Sequence, residues 1–143
     1  MTFPLWMLLA FAVWTLAVLL AGVGVRRWTL ILQGKAGLAS FPADKPHGSP
    51  AYRRAMRAHA NCVENLGVFA SLVLLAAAAH LRPPGFTPMT GAVMAARVLQ
   101  SLTHMAFVER SRTVAVRFGF FFVQVMAMLA MAASLGLAAT HLP

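Results

Sequence analysis

The sequence predicts an all-α integral membrane protein, a four-helix up-down bundle forming a single domain over residues 1–143. Three observations predict it. The chain is 60% hydrophobic and 10% charged, whereas a soluble domain carries roughly 25% charged residues. So few charges cannot cover a water-facing surface, and a mean hydropathy of +0.75 makes lipid the natural solvent. The apolar residues fall in long runs, and the basic residues sit at the ends of those runs, where membrane proteins place them.

The first run, Phe3 to Val25, carries no charge. About 20 residues at 1.5 Å each cross a bilayer core, so a first helix is expected over about 3–27. A cleaved signal peptide would have its positive charge before a shorter apolar core. Here the charge follows, at Arg26 and Arg27, which reads as a retained anchor. Trp28 to Pro50 holds Gly34, Gly37, Pro42, Pro46, Gly48 and Pro50, the composition of an irregular loop. A loop of this length in a compact domain is often functional.

A second helix is expected over about 51–80, polar in its first half and apolar from Leu66 to Ala79, ended by Arg82-Pro83-Pro84-Gly85. A third is expected over about 88–108, and Glu109-Arg110-Ser111-Arg112 reads as a tight polar turn. The fourth is expected over about 113–139. The short second and third connections favour antiparallel neighbours. Arg26, Arg27, Lys35, Lys45, Arg53, Arg54 and Arg57 flank the first connection, Arg82 lies in the second, and Arg110, Arg112 and Arg117 flank the third. Connections one and three are therefore expected to be cytoplasmic, with both termini on the other side. The Ala- and Arg-rich composition points to a bacterial inner membrane.

The net charge of +9 arises from 12 Lys and Arg against 3 acids. It does not imply nucleic acid, because no basic-aromatic surface or binding motif accompanies it. The single cysteine, Cys62, excludes an intrachain disulfide and reads as a small packing residue. No histidine or acid pair has metal-ligand spacing, so no metal site is expected.

Polar residues within the spans are expensive and often mark function. With Arg57 at 0° on a helical wheel, Glu64 falls at about −20°, Asn61 at about 40°, Arg54 at about 60° and Asn65 at about 80°. With Arg97 at 0°, Gln100 falls at about −60°, His104 at about −20° and Ser101 at about 40°. Arg117 and Gln124 are seven residues apart and share a face of the fourth helix. Packed together, the three stripes would form a cation-rich pocket suited to a polar anionic small molecule. Two plainer uses compete with this. Glu64 and an arginine could form a buried structural pair, and Arg53 and Arg54 suit interfacial charges that set topology.

The run Arg57-Ala58-His59-Ala60-Asn61-Cys62-Val63-Glu64-Asn65, followed by Phe69, resembles the second-helix signature of the MAPEG family, the membrane-associated proteins in eicosanoid and glutathione metabolism. Its core is Arg-x3-Asn-x2-Glu, and the four-span layout and Pro-rich first loop also match. The resemblance implies a homotrimer binding glutathione between neighbouring subunits near the cytoplasmic face. Arg57, Asn61 and Glu64 would hold the tripeptide, joined by Arg97, His104 and Arg27 (or Arg26). Arginine pairs with carboxylate through two parallel hydrogen bonds, and Glu64 suits the γ-glutamyl ammonium. Arg117, followed by Phe118, resembles the fourth-helix arginine that faces the thiol in active members. The third helix departs from the pattern, with Gln100 and His104 at steps where active eicosanoid-class members carry aromatic or histidine residues.

The function expected from this is a glutathione-dependent transferase or peroxidase acting on lipophilic electrophiles or hydroperoxides, with glutathione as co-substrate. A non-catalytic binding or structural membrane protein with the same fold is the second reading, favoured by the altered third helix. A transporter is disfavoured, because four spans without an inverted repeat leave little material for alternating access.

Overall fold

The computed structural model describes residues 1–42 and 47–140. Lys45 and Pro46, used above to read the first connection, lie outside the described residues. Four long helices make up the fold: α1, Phe3–Leu32; α2, Pro50–Ala78; α3, Phe86–Ala106; and α4, Ser111–Ala139. A single 3-10 turn, Leu38–Ser40, interrupts the first connection, and no strand occurs among the described residues.

Helix α1 continues through Leu32 instead of stopping at Arg27. Its end is closed by a pair of bonds around Gly34, whose N–H donates to Ile31 O while that of Lys35 donates to Leu30 O. This closure places residue 34 in the left-handed region, φ +66°, where glycine carries no steric penalty. The last turns are held by α2. Arg26 Nη1 donates to Ser49 Oγ at 2.9 Å, and Arg27 Nε donates to Tyr52 Oη at 2.6 Å. The same Ser49 caps α2 by accepting from Tyr52 N–H, with Pro50 following in the first turn.

Within α1, Val18–Gly24 is π-helical. The inward residues are Phe11, Thr15, Val18 and Val23. Steps of four and three suit an α-helix, but the final step of five does not, and a wider turn restores the inward face. The same segment brings α1 close to α2. A Cβ on Gly22 would lie 2.9 Å from that of Ala55. Gly22→Leu is expected to destabilise the fold by about 1–3 kcal/mol through overpacking. An unchanged thermal midpoint in detergent would contradict so close an approach.

Helices α1, α2 and α4 are long and apolar enough to cross a membrane. Helix α3, with 21 residues, is long enough for a core of about 30 Å but less apolar, because Arg97, Gln100, Ser101 and His104 lie in it. All four side chains are buried. The neighbouring helices bury this stripe. Helix α3 packs most extensively on α4 and also contacts α1 and α2. The apolar core is formed by Phe11, Cys62, Phe69, Val73, Val93, Met128, Met131 and their neighbours. The outer surface is apolar as well, with Trp6, Val13, Leu20, Val68, Leu75, Phe118, Phe122 and Leu129 all exposed.

Candidate functional site

Helices α2, α3 and α4 each bring polar side chains to one cavity of about 360 Å³, lined by Arg57, Asn61, Gln100, His104, Glu109, Val114, Arg117, Phe118 and Phe121. That volume lies within the roughly 300–1,000 Å³ usual for small-molecule sites. A cavity of about 380 Å³ lies elsewhere, among residues of the α1 start, the α2 end and the α3 start, from Thr2 to Thr87. It touches none of this polar cluster, so chemistry rather than size locates the site.

His104 is the centre of the cluster. Its Nδ1 lies 2.9 Å from Arg117 Nη1, and its Nε2 lies 3.2 Å from Asn61 Nδ2. Arginine only donates, so Nδ1 must accept and the ring must be neutral. The proton then sits on Nε2, which needs an acceptor. Turning the Asn61 amide over supplies Oδ1 there, and the two amide orientations occupy the same space. The consistent network is Arg117 Nη1–H to His104 Nδ1 and His104 Nε2–H to Asn61 Oδ1. The Asn61 NH₂ is then left to donate elsewhere.

Behind His104, Gln100 Nε2 donates to the Arg117 carbonyl at 3.3 Å. Gln124 Nε2 donates to Gln100 Oε1 and to the Phe120 carbonyl, both at 3.0 Å. These bonds tie α3 to the α4 backbone at Arg117, whose guanidinium is met by His104 alone among these side chains. In front of it lies Glu109, from the connection between α3 and α4. Its Oε1 is 2.7 Å from Arg57 Nη1 and 3.8 Å from Arg117 Nη1.

Four of the sequence-predicted residues therefore meet: Arg57, Asn61, His104 and Arg117. Three do not line the cavity. Arg27 is engaged by Tyr52 and stacks 5.3 Å from the Phe41 ring. Arg97 is fully buried 5.5 Å from the Phe11 ring centroid, and its three guanidinium nitrogens have no hydrogen-bond partner among the described residues. Glu64 is exposed on α2. The ion pairs formed among the described residues are those of Glu109 with Arg57 and Arg117, so the alternative of a Glu64–arginine pair within one chain does not hold. Helix α2 turns Tyr52, Ala55, Ala58, Cys62 and Phe69 inward. That leaves its polar stripe at the edge of the bundle, with Glu64 furthest out.

Glu109 is the participant that sequence reasoning missed, as part of a polar turn. The available signal was its rarity, one of 3 acids against 12 Lys and Arg. The Gln100–Gln124 bond was also missed, although both residues had been placed on polar stripes.

Long apolar helices and an apolar exterior define a helical membrane protein, and buried histidine, glutamine and arginine hold a polar cavity at its α2, α3 and α4 side. The chain belongs to the MAPEG family, whose model matches residues 3–137, nearly its whole length. The family includes glutathione transferases and peroxidases as well as non-catalytic members. Neither the curated proteins nor the solved structures give a match.

Proposed function

We propose that this protein is a membrane glutathione-dependent transferase or peroxidase acting on lipophilic electrophiles or hydroperoxides. The observation that carries the reading is the composition of one cavity wall against the other. Arg57, Asn61, His104 and Arg117 line one part, and Val114, Phe118 and Phe121 line another. A polar anionic thiol suits the first, and a lipid-soluble partner suits the second. Arg57 offers a fork for a carboxylate, and Asn61 offers an NH₂ donor once His104 has taken its oxygen. Arg117, aimed by His104, supplies the cation that favours thiolate over thiol. In the transferase reaction the thiolate sulfur bonds to the electrophilic carbon. The leaving group departs with its electron pair, and the thiol proton passes to water.

The working unit in this reading is a homotrimer of up-down bundles. It lies in a bacterial inner membrane with connections one and three cytoplasmic, and glutathione sits between neighbouring subunits. Glu64 supports this assembly. A carboxylate on the outer face of a membrane helix costs roughly 2.5–3.5 kcal/mol on insertion scales, unless a neighbour or a ligand ammonium meets it. Arg97 and Arg27 act as supports for the site.

The test is conjugation of glutathione to a lipophilic chloronitroarene by protein in lipid vesicles. Saturable product formation above the uncatalysed rate is expected. Glutathione binding without turnover of any electrophile or hydroperoxide would favour the non-catalytic reading, for which Gln100, at a step where active members carry aromatic or histidine residues, is the specific observation.

A further inference from the structure

We propose that Glu109 is an internal stand-in for the ligand's carboxylate, occupying Arg57 in the free protein and limiting the site's preference for carboxylate-bearing thiols. The inference rests on the glutathione reading above. Glu109 Oε1 lies near both guanidinium groups which that reading assigns to the ligand, 2.7 Å from Arg57, given to a carboxylate, and 3.8 Å from Arg117, given to the thiolate. The glycyl carboxylate of an entering glutathione, assigned here to Arg57, would compete for the same nitrogen. Glu109 therefore does two things in the free protein. It neutralises part of the cavity's charge, and it makes entry an exchange of one carboxylate for another.

The bond is built to be displaced. Both partners are substantially exposed, 67% for Arg57 and 46% for Glu109, and exposed ion pairs contribute little to stability. Glu109 sits on residues 107–110, which belong to no helix. Among the described residues, the backbone bonds at this segment are those closing the flanking helix ends, from Phe107 N–H to Thr103 O and from Val114 N–H to Arg110 O. The carboxylate can swing away without breaking a helical turn. The Arg117 guanidinium stays in place when it does, because His104 Nδ1 holds its Nη1 at 2.9 Å.

A thiol without a free carboxylate at that position has nothing to exchange for Glu109. It would bind beside the intact Arg57–Glu109 pair and gain nothing from Arg57. Arg57 supplies the preference for a carboxylate, and competition from Glu109 at that guanidinium limits it.

Calorimetric titration of the detergent-solubilised full chain tests this, using glutathione and its glycyl monoethyl ester against the parent and Glu109→Gln. Glu109→Gln is expected to tighten glutathione roughly threefold to fivefold, the scale of an exposed ion pair, and to leave the ester unchanged. The glutathione-to-ester ratio rises accordingly, and Glu109→Ala gives the same ordering. Equal change for both ligands, or weaker glutathione binding in both variants, would overturn the inference while leaving the glutathione site standing. Absence of glutathione binding in the folded parent would overturn the site and the inference together.

Discussion

Arg117→Ala is expected to slow conjugation of glutathione with a lipophilic electrophile on the order of 10²-fold, the usual cost of removing one preorganised donor to a developing or stabilised anion. The argument rests on position. Arg117 is buried on α4, its Nη1 is fixed at 2.9 Å by His104 Nδ1, and its carbonyl is held by Gln100. A guanidinium held in this way needs no reorganisation when a thiolate forms beside it. The loss should fall mainly on kcat, with glutathione affinity within a few-fold of the parent. Arg117→Lys should recover part of the rate, since it keeps the charge and loses the fork. An Arg117→Ala variant as fast as the parent would remove Arg117 from the reaction.

Glu64→Gln is expected to weaken glutathione binding roughly 10- to 100-fold, the range for losing a hydrogen bond to a charged group. Glu64 sits about 21 Å along α2 from Pro50, beside the exposed Val63 and Val68. No ion pair of Glu64 forms among the described residues of its own chain, and its partner in this proposal comes from outside the chain. An ammonium of the ligand and a group on a neighbouring copy are the two sources. Light scattering on the same variant separates them. Retained assembly with lost binding assigns Glu64 to the ligand, whereas dissociation to monomers assigns it to the subunit interface.

The helices were legible in the sequence because apolar run length and the Gly and Pro residues between them act locally. The end of α1 was not legible, because Ser49 and Tyr52 of α2 hold its last turns, a contact no local pattern announces. The π-helical segment left only a faint trace, in the five-residue step from Val18 to Val23. Helical-wheel geometry placed Arg97, Gln100, Ser101 and His104 on one face, and they are buried together. The same geometry for α2 gave the stripe but not its direction. Which face turns inward was decided by the small residues Ala55, Ala58 and Cys62, which allow the other helices to approach. Glu109 lay beyond the reach of periodicity, since a residue between helices has no face. Its role emerges only from distances to Arg57 and Arg117, residues far from it on α2 and nearby on α4.

The central claim is that the cavity between α2, α3 and α4 is a glutathione site. Calorimetric titration of reduced glutathione into the folded, assembled protein tests it most directly. The account predicts saturable binding that weakens on Arg57→Ala and Glu64→Gln. No heat of binding at millimolar glutathione, from a sample with an intact melting transition, would contradict it and leave the polar cluster as a device that joins the helices.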